Sequence, residues 1–129
     1  MVLATYSLTA LDCQDPIVLA DFYSQITGWP INEERTWRDE SGIVKWTQLT
    51  SEGGATIGFQ RVANHRAPTW PEGEFPQQEH LDFDVDDLDV GEVDILKVGA
   101  RKANHESGDY FRVFFDPAGH PFCLVKRSN

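Results

Sequence analysis

The sequence has few basic residues, few cysteines and no long hydrophobic run. Lys and Arg total 11 against 21 Asp and Glu, which gives a formal charge of −10. A chain this acidic repels phosphate groups, which argues against general binding to nucleic acid or anionic membranes. No apolar run approaches the roughly 20 residues that span a bilayer, and the start lacks the basic and apolar regions of a signal peptide. We therefore expect a cytoplasmic protein.

Cysteine usage and motif content exclude several kinds of site. The two cysteines, Cys13 and Cys123, are far apart in the sequence and belong to no close-spaced pair, so we expect free thiols. The HExxH, P-loop, GxGxxG and CxxC patterns are absent, and no short motif identifies a reaction. The 129 residues, 40% of them hydrophobic, suit one domain with a core that needs no disulfide.

The first half of the sequence predicts strands and one helix with clear boundaries. Asp15 is suited to cap the helix, Pro16 to its first position, and Gly28 to its end. Between the last two strands, Ser51–Gly54 is typical of a hairpin turn. The predicted strands are 6–13, 43–50 and 55–62.

The second half repeats this order after a proline-rich loop at 63–78. A strand over 79–85 alternates strictly, and a helix from about 87 to 98 ends at Gly99. Strands at 110–115 and 121–126 are joined by a turn at 116–120. In the alternating strand, one face carries Leu81, Phe83 and Val85, and the other carries His80, Asp82 and Asp84.

The two halves form a weak internal repeat. Residues 11–16 (LDCQDP) align with residues 83–88 (FDVDDL), and a helix follows in both halves. Two such units can join their strands into a curved sheet with the helices outside and a cleft inside. The alternative is one irregular α+β domain without a repeat.

Four segments resemble the vicinal oxygen chelate superfamily, and more narrowly its glyoxalase-like and bleomycin-resistance-like small proteins. They are LDCQDPIVLADFYSQITGW, LTSEGGATIGFQRV, HLDFDVDDLDVGEVDILKVGAR and FFDPAGHPFCLV. The resemblance implies an α+β fold of two βαβββ modules that form a curved mixed sheet, a half-barrel, around a central cleft. It places the modules at about 5–63 and 78–127 of one domain and implies a homodimer.

The resemblance also implies where a divalent metal would bind. The ligand positions fall on Leu8, on His80, on Cys123 and on a first-module strand that carries Gly58 and Gln60. Only His80 is a usual ligand there, and leucine cannot ligate a metal. We therefore expect no metal and no cofactor, although His80 and Cys123 could bind zinc with help from Asp82.

Residues on the cleft-facing strands are the candidate ligand contacts. Asp82 and Asp84 share the face of His80, and three polar side chains in a row favour a wet cleft over a dry core. Arg112 could pair with a ligand carboxylate, or merely with Asp82 or Asp84. The candidate ligand-binding residues are Leu8, Trp46, Gln60, Trp70, His80, Asp82, Arg112 and Cys123.

Three functional hypotheses follow. The first is a metal-free binder that holds a largely apolar or aromatic natural product, as in antibiotic self-resistance, without breaking a bond. The second is a metal-independent lyase or isomerase with His80 as its general base. The third is a divergent metalloenzyme with an altered site at His80 and Cys123. The first predicts a small molecule as the partner, with no enzymatic activity.

Overall fold

The computed structural model describes residues 3, 5–105 and 108–127. The chain divides into two compact units, Met1–His65 and Arg66–Asn129. Each unit has its own sheet and one α-helix, so they are described in turn.

The first unit has a strand, a helix and three further strands. Two of the strands lie close to the predicted ranges, and a short 3₁₀ turn, Glu33–Arg35, precedes a two-residue strand that the sequence did not predict. The elements are β1 (Thr9–Cys13), α1 (Pro16–Thr27), β2 (Trp37–Arg38), β3 (Val44–Thr50) and β4 (Thr56–Arg61).

Helix α1 begins and ends where the sequence predicts. The Asp15 carboxylate accepts hydrogen bonds from the backbone N–H groups of Ile17 and Val18, at 3.1 and 3.3 Å, which satisfies donors that the first turn leaves unpaired. Pro16 occupies the first helical position. Gly28 ends the helix with a φ of 74°, a left-handed conformation that favours glycine.

The sheet of the first unit has the strand order β1-β4-β3-β2. Strand β1 runs parallel to β4, and the other neighbouring pairs are antiparallel. The core forms between α1 and this sheet, where the rings of Tyr23 and Phe59 stack with centroids 5.9 Å apart. Leu19 and Phe22 of the helix and Leu49 of β3 are also buried.

The second unit has the same succession of elements. Its last strand has the predicted bounds, and its first begins two residues later than predicted. The elements are β5 (Leu81–Val85), α2 (Leu88–Lys97), β6 (Arg101–Lys102), β7 (Phe111–Phe115) and β8 (Pro121–Lys126).

The second sheet repeats the connectivity of the first. Its order is β5-β8-β7-β6, with β5 parallel to β8 and the other pairs antiparallel. The predicted alternation of β5 is confirmed, since Phe83 meets the ring of buried Phe122 and Val85 lies against Gly91 of α2. The α+β fold with two βαβββ modules is therefore confirmed.

Two smaller sequence predictions can also be compared with the structure. Cys13 and Cys123 are both buried, and neither forms a disulfide, as the sequence predicts. Of the two helices in the described chain, neither combines the length and apolar character that a membrane-spanning segment needs.

Candidate functional site

The second unit contains a cavity of about 420 Å³ on the face of its sheet opposite α2. Its wall is mainly apolar, with a few polar groups. A cavity of this size is in the range of small-molecule sites. The lining residues are Trp70, Gln77, His80, Asp82, Tyr110, Phe111, Val113, Pro121, Cys123 and Val125.

Strand register explains why the centre of the cavity has this composition. Cys123 of β8 pairs with Asp82 of β5 on one side and with Val113 of β7 on the other. Paired residues in neighbouring strands point to the same face of a sheet. The three side chains therefore form one row across the cavity floor, and residues two positions away on each strand extend it.

Three side chains at this floor converge on one another. The Nε2 atom of His80 lies 3.3 Å from Oδ1 of Asp82. One ligand atom from each of His80, Asp82 and Cys123 lies within 4.8 Å of the other two. This cluster joins an imidazole, a carboxylate and a thiol at the edge of an apolar cavity.

The Cys123 thiol is held in its protonated form. Burial, together with the charge and hydrogen bonding of Asp82, raises its pKa from 9.0 to about 11. A thiol with this pKa is almost entirely uncharged at neutral pH, so it is a weak nucleophile. A metal that binds Cys123 would have to displace this proton.

Aromatic rings form the mouth and one wall of the cavity. Tyr110 is 77% exposed and Phe111 is 37% exposed, although both line the cavity. Trp70 meets the His105 ring edge-on at 4.8 Å, and it packs against the buried cluster that contains Val113. These exposed rings offer apolar area that a ligand can cover.

The first unit lacks the polar cluster at the equivalent positions. In its sheet, Ala10 pairs with Gly58 where the second unit pairs Asp82 with Cys123, and Leu8 takes the position of His80. The indole of Trp46 lies over Gly58, and its Nε1 donates to Gln48 at 3.0 Å. In the first unit, the Trp46 side chain therefore covers the sheet face whose equivalent in the second unit is open.

The structure brings together four of the predicted ligand-binding residues, namely Trp70, His80, Asp82 and Cys123. The other predicted residues lie elsewhere. Leu8, Trp46 and Gln60 belong to the first unit, where Leu8 and Trp46 meet around Gly58 and Gln60 pairs with Trp46 across the sheet.

The prediction that Arg112 faces the ligand, or pairs with Asp82 or Asp84, is wrong. Its guanidinium contacts α2, at 2.7 Å from Asp89 and 3.4 Å from Glu92. The hydrogen bond and charge of Asp89 raise the pKa of the Arg112 guanidinium above its ordinary value. Because side chains alternate along a strand, the Phe111 and Val113 side chains on either side line the cavity, and Arg112 lies on the other face.

Several lining residues were not predicted from the sequence. Alternation in β7 and β8 could have identified Phe111, Val113, Pro121 and Val125, because they lie on the same face as Cys123. Tyr110 directly precedes β7. Nothing in the local sequence signals Gln77, which lies in the loop before β5. The missed residues are Gln77, Tyr110, Phe111, Val113, Pro121 and Val125.

Comparison with known families decides the broader identity of the chain. The glyoxalase-like domain family matches residues 9–125. This chain belongs to the glyoxalase-like domain family. The predicted resemblance to the vicinal oxygen chelate superfamily is thereby confirmed. A search of curated proteins gives no significant match to this glyoxalase-like domain.

Solved structures share the fold of this glyoxalase-like domain at low sequence identity. A glyoxalase family protein from Enterococcus faecalis has a TM-score of 0.66 and 19% identity, with 98% of this chain and 100% of that chain covered. TnmS3, an antibiotic binding protein from Streptomyces sp. CB03234, has a TM-score of 0.60 and 19% identity, with 99% of both chains covered.

A metal-containing relative shares the same fold. The fosfomycin resistance protein FosX from Listeria monocytogenes, solved with Mn(II) and 1S,2S-dihydroxypropylphosphonic acid, has a TM-score of 0.70 and 16% identity. The match covers 98% of this chain and 95% of that chain. The fold is therefore found both in an antibiotic binding protein and in a protein that holds a metal.

Proposed function

We propose that this chain is a metal-free small-molecule binding protein that holds a largely apolar or aromatic natural product in the cavity of its second unit. The cavity of about 420 Å³, with Trp70, Tyr110, Phe111 and Val113 in its wall, is the observation that carries the proposal. Antibiotic sequestration is one setting for such binding, and the antibiotic binding protein TnmS3 shares the fold.

Burial and stacking supply the binding free energy. Each square ångström of apolar surface removed from water contributes about 25 cal/mol, and the exposed rings of Tyr110 and Phe111 gain contacts that the free protein lacks. His80, Asp82 and Gln77 can orient a ligand by hydrogen bonds, since they are the residues of the lining with an imidazole, a carboxylate and an amide. No bond needs to be broken.

The polar cluster supplies only part of the metal-ligand set that the family resemblance implies. His80, Asp82 and Cys123 are three donors, while the equivalent first-unit positions, Leu8 and Gly58, have no side-chain ligand atoms. Without a metal, Cys123 is a protonated thiol near neutral pH, and a metal would have to displace that proton in order to bind. These observations support binding without a metal.

Titration with 2-naphthylmethanol tests the proposed function. The protein is dialysed against EDTA, and intrinsic tryptophan fluorescence and calorimetry follow the titration. We expect saturable binding that Tyr110→Ala and Phe111→Ala each weaken several-fold, about 1 kcal/mol for each lost ring contact. Trp37→Ala is the matched control, because Trp37 is 64% exposed in the first unit. Binding that none of the cavity variants changes would contradict the proposal.

The second candidate is a divergent metalloenzyme, which the convergence of His80, Asp82 and Cys123 favours. An imidazole, a carboxylate and a thiolate are a donor set suited to Zn²⁺ with one open position, where the ion would act as a Lewis acid. Stoichiometric zinc in the purified protein, absent from a His80→Ala variant, would support this candidate over metal-free binding.

The third candidate is a metal-independent lyase or isomerase. Asp82 lies 3.3 Å from the imidazole of His80, so the carboxylate can orient the ring while His80 acts as a general base. Proton exchange from a bound carbon acid distinguishes this candidate. A His80→Gln variant that binds the compound but no longer exchanges its proton would support catalysis.

We further propose that the protein is a cytoplasmic homodimer. The absence of a membrane-spanning helix in the described chain is compatible with this location. Sedimentation velocity checks the oligomeric state, and a mass near 29 kDa, about twice 14.6 kDa, is expected. A single species of monomer mass at micromolar concentration would contradict the dimer.

A further inference from the structure

The cavity of the second unit contains the carboxylate of Asp82 and one basic ring, His80, whose Nε2 lies 3.3 Å from Oδ1 of Asp82. Asp82 supplies a carboxylate to the lining, and its side chain is 57% exposed. Among the described residues that line the cavity, none is Lys or Arg. The cavity therefore presents negative charge that no lysine or arginine within it balances.

Five basic side chains of this unit contact groups outside the cavity. Arg112 pairs with Asp89 on the α2 face of the sheet, and Lys102 pairs with Glu92 of the same helix at 3.0 Å. Arg101 lies over the ring of Phe115, 4.6 Å from its centroid. Arg127 pairs with Asp86, and Arg66 lies over the ring of Phe75.

Aromatic rings share the cavity with this carboxylate. Trp70, Tyr110 and Phe111 all line it, and the faces of aromatic rings attract cations because of their quadrupoles. A carboxylate together with several rings is the arrangement that stabilises an alkylammonium or quaternary ammonium group. A ligand carboxylate would instead meet the charge of Asp82.

We propose that the cavity selects ligands that carry an organic cation beside their aromatic or aliphatic body, with Asp82 as the counter-ion. The inference rests on the proposed binding function and adds the charge of the ligand to it. Tyr110 and Phe111, at the exposed mouth, contact the cation or the ring next to it. The charge of −10 over the whole chain also attracts cations by long-range steering.

Three probes of nearly equal size and different charge test this selectivity. They are 2-naphthylmethylamine, 2-naphthylmethanol and 2-naphthoate, titrated into the EDTA-treated protein at pH 8 and low salt. We expect the amine to bind about tenfold more tightly than the alcohol, with the naphthoate weakest. The preference should shrink as salt is raised from about 20 to 500 mM, because the Asp82 carboxylate is partly exposed.

Asp82→Asn should bring the ratio of amine to alcohol affinity close to one. Asp84→Asn is the matched control, because Asp84 lies two residues further along the same strand but does not line the cavity. Asp84→Asn should retain the preference. Equal affinities in the unmodified protein, or a preference that persists in Asp82→Asn, would overturn the inference and leave the binding function intact. If none of the three probes binds, the proposed function fails as well.

Discussion

Replacing Gly58 with alanine tests whether the Trp46 indole fills the face of the first unit. A Cβ atom at Gly58 would lie 2.5 Å from Cζ2 of Trp46, closer still to Cη2, and 3.1 Å from Cδ1 of Leu8. Favourable carbon–carbon contacts are about 3.5–4.0 Å. The indole must therefore move by about 1 Å or leave its position.

The cost of Gly58→Ala combines three contributions. Overpacking a well-filled site costs about 1–3 kcal/mol. Loss of the hydrogen bond from Trp46 Nε1 to Gln48, 3.0 Å long, adds about 1 kcal/mol. Replacing glycine within a strand offsets about 0.5–1 kcal/mol of this. We expect the free energy of unfolding to fall by about 2 kcal/mol, and Tm to fall by about 8 °C.

Urea unfolding followed by circular dichroism measures this change, with two controls. Gly53→Ala should be nearly neutral, because the nearest atom to its Cβ, Oγ of Ser51, is 3.9 Å away. In a Trp46→Ala background, most of the cost of Gly58→Ala should disappear, because the clashing ring is gone and only the contact with Leu8 Cδ1, at 3.1 Å, stays tight. The packing argument is refuted if Gly58→Ala is as stable as the parent, or if its cost persists without Trp46.

Further predictions concern the thiol of Cys123, the guanidinium of Arg112 and the helix cap at Asp15. At pH 8, iodoacetamide should modify Cys123 about 100-fold more slowly than a thiol of pKa 9.0, because a pKa of about 11 leaves about 100-fold less thiolate. Asp82→Asn should speed the reaction. Peptide mass spectrometry distinguishes modification of Cys123 from that of Cys13. A fast reaction in the native protein would contradict this. Because the folded pKa of Cys123 is the higher one, its contribution to stability is complete below about pH 9 and falls towards pH 11, which unfolding curves across that range check. Arg112→Gln should lower the free energy of unfolding by about 1 kcal/mol and leave the affinity for 2-naphthylmethanol unchanged. Weaker binding by this variant would contradict the position of Arg112 outside the cavity. Asp15→Ala should cost about 1 kcal/mol, with Asp21→Ala, an exposed position on the same helix, as the control.

Local signals made the helices and several strands of this fold predictable. Asp15, Pro16 and Gly28 each act on the residues next to them, so their pattern gives the bounds of α1 directly. The two-residue strands β2 and β6 carry no such signal. They exist because Trp37 meets Trp46 and Arg101 meets Phe115 across the sheet, and a pairing between distant residues is not visible in a short window.

The candidate site was predictable where strand alternation applies and was missed elsewhere. The alternation of β5 put His80 and Asp82 on one face, and the structure places both in the lining. The same rule, applied to β7, would have separated Arg112 from its neighbour Val113. The acidic partners of Arg112, Asp89 and Glu92, are three residues apart on a helix and so share one face.

Metal-free binding is tested most directly by a chemical-shift titration of the ¹⁵N-labelled, EDTA-dialysed protein with 2-naphthylmethylamine. We expect saturable shifts at the amides of Asp82, Val113 and Cys123, which form the row across the cavity floor, with no metal added. Binding that begins only after Zn²⁺ is supplied, or shifts that leave these three amides unchanged, would contradict a metal-free cavity in the second unit.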